Sequence, residues 1–508
     1  MTLPVYLWPS AKEFVDRTSE LAALEKWWKS SDRTPVSLYG RRRCGKSWLF
    51  RRFAHGKPAV VLVARQTAPG AQLDDFAERL EPLLGVRPVL RDLADLFRVL
   101  YRAAAREKLI VVIDEFPYLL PGTEAEVRRE LSAIAAVMEE ERDDSLIKLL
   151  ICGSLVSQME SLLAERSPLH GRLLPLQLQP VAFAEARLFM PGHDAQRQFE
   201  RFAIAGGMPR YLTALSGEDA LADVICDRIL DRNAGLWDEG RRVLEQELRE
   251  PKVYFAVLQC LASGDKESGE IASALRSDAQ RISKYLNVLT DMRLIERRQP
   301  IESVATGRSG HWHLRDAFTR FWFRFVFPFQ DDLEAGLSSR DLYNAEVAPV
   351  LSDHIAPEFE EFCRRWTRAN SAVTRVGAWW GPSLNSLRRS GTRSSEEIDI
   401  VGVARGRVAV VGEARWRNTK MDVDYLADFE QFKLPALRQS GLAVAKSPSI
   451  MLFSKGGYTE QHDLATQNPA LVAALAQEWD QWAERTGSLV KNPPPAAPNP
   501  SKKKASKS

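Results

Sequence analysis

The sequence predicts a multidomain α/β chain: a parallel-sheet core carrying a phosphate loop, a helical segment, a winged helix-turn-helix and a second α/β module. Three observations carry that prediction. The octet Gly40-Arg-Arg-Arg-Cys-Gly45-Lys46-Ser47 fits the phosphate-loop spacing G-x-x-x-x-G-K-[ST]. The apolar run Leu109-Ile-Val-Val-Ile ends in the acids Asp114 and Glu115. Far downstream, two strand-like stretches again carry acids, Glu397-Ile-Asp399 and Glu413-Ala-Arg415.

The first core justifies itself in chain order. Pro35-Val-Ser-Leu-Tyr39 reads as a buried strand and Trp48-Leu-Phe-Arg-Arg-Phe53 as the start of an amphipathic helix, the context that a phosphate loop requires. Gly40 and Gly45 let the backbone curl around an anion at the positive end of that helix. The expected contacts with ATP or GTP are Gly40, Arg41, Arg42, Arg43, Cys44, Gly45, Lys46, Ser47 and Trp48. Lys46 reaches the β/γ-phosphates and the Ser47 hydroxyl is a ligand for Mg²⁺. After the strand Ala59–Val63 and helices near 72–84 and 92–107, a central parallel strand presents Asp114 and Glu115 at its carboxyl edge. Asp114 is expected to hold Mg²⁺ and Glu115 to polarise the attacking water. Leu149-Leu-Ile-Cys-Gly153-Ser154 is a further buried strand; Ser154 either orients the γ-phosphate or its water, or is a plain strand-to-helix turn. Arg172, before the strand Leu174–Leu178, is either an arginine finger for a neighbouring subunit or a surface arginine.

The middle and the end follow. Helical spacing over Val253–Ala262, Ser268–Leu275 and Asp278–Leu289, then strands at Leu294–Arg298 and Gly310–Leu314, read as a winged helix. Arg281, Lys284, Arg297, Arg298 and Arg308 are its candidate phosphate contacts for DNA, or an ordinary solvated face. Farther on, Asp399 and Glu413 on adjacent strands converge on one divalent ion, with Arg415 on the face of Glu413 because strand side chains alternate.

Bulk properties bound the reading. A chain of 508 residues exceeds one core, and 45% hydrophobic with 27% charged residues is ordinary for a globular protein. A net charge of +3 leaves any basic surface local. The five cysteines form no C-x-x-C pair, which fits reduced thiols and a cytoplasmic protein. Residues 1–8 lack the basic and long apolar regions expected of a signal peptide, and no apolar run reaches about 18 residues, so no membrane partner is expected. The Pro- and Lys-rich stretch from Lys491 to Ser508 is expected to be a disordered basic tail.

Phe14-Val-Asp-Arg17-Thr-Ser-Glu20, the phosphate loop, Ile113-Asp-Glu-Phe116, Cys152-Gly-Ser154 and Leu169-His-Gly-Arg172 together resemble the archaeal-type ATPases of the AAA+/STAND group. The resemblance implies that Arg17 and Glu20 flank the nucleotide and that Pro209, in Gly206-Gly-Met-Pro209, begins a lid helix near the adenine. Pro357-Glu-Phe-Glu360, Asp399 and Glu413-Ala-Arg415, with Gln431 on the next helix, resemble the PD-(D/E)XK, restriction-endonuclease-like domain that ends many such ATPases. There Glu360, Asp399, Glu413 and Arg415 form the implied catalytic set. Arg415 stands where that family carries lysine; a guanidinium cannot act as a base, so an active nuclease and a non-cleaving binding domain both stay open. The implied domains are 1–180 ATPase core, 181–245 lid, 246–330 winged helix, 331–485 nuclease-like module and 486–508 tail. The expected protein is an Mg²⁺-dependent ATPase acting on DNA through its last module, or a switch or scaffold that binds a protein partner or oligomerises. A small-molecule kinase would need a substrate pocket that nothing in the sequence indicates.

Overall fold

The structure, a computed structural model, describes residues 3–245, 248, 251–301, 310–384, 395–459 and 488–491. Arg308 lies outside them, as does most of the expected tail.

Five short strands form the first sheet: β1 (Val36–Tyr39), β2 (Ala59–Val63), β3 (Leu109–Asp114), β4 (Ile147–Gly153) and β5 (Leu174–Gln177), in the spatial order β2-β3-β4-β1-β5. Every pairing is parallel. Strands β1, β3 and β4 are buried along their whole length, which is why they read as continuous apolar runs and not as alternating ones. Parallel strands put all their carboxyl ends on one edge, so the segments after β1, β3 and β4 meet there. The phosphate loop follows β1, Asp114 and Glu115 end β3, and Ser154 follows β4.

Helices Ala195–Ala205 and Pro209–Leu215 continue the core beyond the sheet. Then come helices Pro251–Ala262, Ser268–Ala274 and Ala279–Asp291 and an antiparallel hairpin of β6 (Ile295–Arg298) and β7 (His311–Leu314). Lys266 bridges to Trp312 at its side. The buried Ile282, Leu286 and Leu289 face inward from the third helix, as their spacing predicts. The aromatic helix Ala317–Phe325 is nearly all buried, so it is core and not an exposed stacking platform.

A second five-stranded sheet closes the chain: β8 (Arg375–Pro382), β9 (Ser395–Ala404), β10 (Arg407–Arg415), β11 (Val444–Ser454) and β12 (Ser488–Lys491). The order is β12-β11-β10-β9-β8, a mixed sheet in which only β10 and β11 run parallel. The 20-residue helix Leu351–Asn370 lies along β8, β9 and β10. Strand β12 falls inside the segment expected to be tail. Among the described residues no helix is long and apolar enough to cross a membrane.

Candidate functional site

The phosphate loop takes the shape its glycines permit. Gly45 has φ 94°, the left-handed region, and starts the helix Lys46–Ala54. A side chain at Gly40 would put its Cβ 2.3 Å from the Leu178 carbonyl oxygen, so only glycine fits between β1 and the end of β5. Lys46, almost fully buried, donates to the Gly40 carbonyl at 2.8 Å and the Arg41 carbonyl at 3.2 Å. The Ser47 hydroxyl donates to Asp114 Oδ2 at 3.2 Å. Burial, and then the neighbouring Glu115, push the Asp114 carboxyl above its ordinary range, against Lys46 and Ser47. A hydroxyl beside such a carboxylate is a donor set that suits Mg²⁺, so Ser47 and Asp114 are the residues that would hold it. Glu115 accepts from the Ser154 backbone N–H (3.1 Å) and hydroxyl (2.8 Å), so Ser154 grips the carboxylate expected to polarise water.

The three loop arginines reach outward. Arg42 donates to Tyr118 Oη at 2.5 Å. Arg41 pairs with Asp316 at 2.9 Å and Arg43 with Glu239 at 2.6 Å, and both acids are buried. Asp316 also caps the helix Ala317–Phe325 by accepting from the Thr319 N–H. Burial alone would raise its carboxyl, but Arg41 and the Thr319 donors bring it below the usual range. Glu239 accepts from Tyr211 Oη at 3.3 Å as well, with Arg210 at 3.7 Å. Sequence reading passed over Asp316 and Glu239, because no local motif marks acids 275 and 196 positions from their partners.

Other expected residues fall as follows. Arg17 donates to the carbonyls of Cys44 (3.0 Å) and Gln179 (2.7 Å) and pairs with Glu20 (3.0 Å), so it braces the loop from behind. The Cys44 thiol is core. Pro209 sits against the loop: a Cβ on Gly45 would lie 3.7 Å from its Cγ. Trp48 is exposed, with Trp8 packed edge-on at 4.9 Å. Arg172 lies at the opposite edge of the sheet, just before the β5 residue that pairs with the start of β1, and points toward Glu139 at 3.7 Å. It is remote from the phosphate loop of its own chain. A cavity of about 180 Å³ lies between Arg41, Arg42 and Ser154 on one side and Val288, Met292 and Leu294 on the other. It is smaller than the roughly 300–1,000 Å³ of ordinary ligand sites.

In the last module, β9 and β10 do bring Asp399 and Glu413 side by side. Three of their four oxygens accept hydrogen bonds from the protein. Glu413 Oε1 accepts from Lys433 at 2.5 Å, Oε2 from Arg415 at 2.9 Å, and Asp399 Oδ2 from the Ala414 N–H at 2.9 Å. Glu360 faces Arg364 at 3.7 Å. Burial, and then Asp399, push Glu360 up to about 8 and Glu413 up to about 7. Among the described residues no group of three or more His, Cys, Asp or Glu side chains converges as a metal site. The two carboxylates expected to converge on a divalent ion instead direct both Glu413 oxygens and Asp399 Oδ2 at N–H donors. Gln431 is exposed and does not join the cluster; Lys433, two residues on, does.

Fold and loop define a P-loop ATPase core joined to a second α/β module. Residues 14–215 match an ATPase domain family found predominantly in Archaea, and residues 322–425 match a domain of archaeal and bacterial proteins of unknown function. The chain thus combines an archaeal-type ATPase domain with a domain of that second family. An uncharacterized protein of Methanocaldococcus jannaschii is 26% identical over 413 residues, 80% of this chain and 88% of that one. An uncharacterized ATP-binding protein of the same archaeon is 43% identical over 44 residues, 9% of this chain and 75% of that one. Among solved structures, a Walker-type ATPase of Pyrococcus abyssi is 18% identical with a TM-score of 0.45, covering 64% of this chain and 99% of that one.

Proposed function

We propose that this protein binds and hydrolyses ATP with Mg²⁺, and that nucleotide occupancy sets the arrangement of the modules that follow the ATPase core. The observation that carries this reading is the pair of ion pairs from the loop, Arg41–Asp316 and Arg43–Glu239. Phosphates bound by the loop compete for those guanidinium groups, so nucleotide state is felt at the start of the Ala317–Phe325 helix and at Glu239. Lys46 exchanges its carbonyl partners for phosphate oxygens. Mg²⁺, when bound, offsets phosphate charge. Glu115 accepts the proton of the attacking water once it leaves Ser154. Arg172 serves only a neighbouring subunit, in a homo-oligomer. The test is limited proteolysis with and without ATP and Mg²⁺: the cleavage pattern of the parent changes, that of Lys46→Ala does not. An unchanged parent pattern with ATP demonstrably bound would refute the coupling.

We read the three helices and hairpin as a winged helix, and its third helix as a DNA-binding face. Gln280, Arg281, Ser283, Lys284 and Asn287 are exposed on it, a set able to reach phosphates and base edges. Engagement of both Glu413 oxygens favours the non-cleaving form of the last module over an ATP-controlled nuclease. Nicking of supercoiled DNA with Mg²⁺ or Mn²⁺, lost in Asp399→Ala, would reverse that preference.

A further inference from the structure

We infer that the last module carries its own counter-ion: the buried Lys433 ammonium, paired with Glu413, neutralises the strand carboxylate on which a divalent metal would otherwise bind, so the module works without one. Lys433 and Glu413 are both buried, and Nζ lies 2.5 Å from Oε1. The same ammonium acts on Glu397, which precedes Asp399 on the same face of β9. Arg415 takes the other Glu413 oxygen, and Arg364 spans Glu360, Glu361 and the Asp399 carbonyl (3.7, 3.1 and 3.0 Å).

The backbone explains how the lysine arrives. Residues 423–439 run as one helical segment whose middle, Phe429–Lys433, is wound as a π-turn. Pro435 has no N–H to give the preceding turn, which relaxes the α-helical ladder at this point. The wider turn swings Lys433 inward over the Phe429 ring and leaves Gln431 outside. A divalent ion needs several oxygen lone pairs directed at one point about 2.0–2.6 Å away. Here both Glu413 oxygens and Asp399 Oδ2 accept from N–H donors, and a buried ammonium against Glu413 repels a second cation. Replacing a metal by a fixed side-chain cation preserves the charge balance of the buried carboxylates while removing the Lewis acid.

The test is to count Mn²⁺ bound by full-length, chelator-treated, nucleotide-free protein, from the electron paramagnetic resonance signal of free Mn²⁺. The parent, Glu413→Gln and Asp399→Asn should bind the same number. Lys433→Met should gain one site per chain, and the Lys433→Met/Glu413→Gln double variant should lose it again. Loss of a site from the parent on either Glu413→Gln or Asp399→Asn would overturn the inference. So would an unchanged count in a Lys433→Met protein that keeps the parent near-ultraviolet circular dichroism. Should Lys433→Met not fold, the parent comparisons decide alone. No arm uses ATP, so the result stands apart from the nucleotide coupling proposed above.

Discussion

Single residues in this protein carry energies set mainly by what their removal leaves behind. Asp316 is buried and its charge is met by one cation, Arg41, together with the Thr319 hydrogen-bond donors at the helix it caps. Arg41→Ala therefore leaves an uncompensated buried carboxylate, and we expect about 3–5 kcal/mol of lost stability by chemical denaturation. Adding Asp316→Asn should return a large part of that loss, because asparagine caps a helix as well as aspartate and bears no charge. If the double variant is no more stable than Arg41→Ala, the pair is not the main partner of Asp316. Glu115→Gln tests the other residue-scale assignment. ATP binding should persist while hydrolysis falls about 10²–10⁴-fold, the usual worth of a positioned base.

Whether a residue was legible from sequence depended on how local its chemistry is. Gly40–Ser47 and Asp114–Glu115 act through backbone turns and strand ends encoded within a few neighbours, and they sit where the motif placed them. Asp316 and Glu239 act across hundreds of positions, so nothing beside them in the chain betrays them. Lys433 lies in a π-turn two positions beyond Gln431, the residue that the family resemblance singled out. Arg172 precedes β5 and so lies at the amino edge of the parallel sheet, away from its own chain's phosphate loop; the finger role expected of it was toward a neighbouring subunit, which only an assembly decides.

At the scale of elements, the helix Leu351–Asn370 is the long support of the last module, and one of its inward positions is a polar ring in an apolar setting. His354 is fully buried, lies edge-on to Phe321 and Phe325, and neither ring nitrogen has a partner among the described residues. Burial, and then Arg320 and Arg324, hold its pKa well below the ordinary histidine value. The unfolded chain takes up the proton below about pH 6.5 while the native helix does not. Stability from this site is thus complete above that pH and is lost as pH falls through it. Glu360 and Glu413, with their raised carboxyls, act in the opposite direction over the same interval, so the His354 effect is read as a difference: the thermal-unfolding midpoint of the parent should fall relative to that of His354→Phe between about pH 7 and 5. A difference between the two midpoints that does not change with pH over this interval would mean that the ring is hydrated or paired in solution.

At the scale of the whole molecule, the question is how a nucleotide gets in. The space beside Arg41, Arg42 and Ser154 is about 180 Å³ and is roofed by residues 288–294 of the three-helix module. That roof is held to the ATPase core by Arg293, which donates to Glu160 at 2.9 and 3.2 Å. Both side chains are partly exposed, so the pair is worth no more than about 1 kcal/mol, but its position makes it a latch on the site. If the roof must lift before the triphosphate binds, the open fraction limits the apparent affinity and each contact that closes the roof lowers it. Arg293→Glu replaces attraction by repulsion and should speed binding of a fluorescent ATP analogue by about 2- to 5-fold, the equivalent of a kilocalorie or less. The charge swap Arg293→Glu/Glu160→Arg should bring the rate back toward the parent, which a general loosening of the fold would not do. Equal rates in the parent and Arg293→Glu would place the access route elsewhere, on the exposed Trp48 side of the loop.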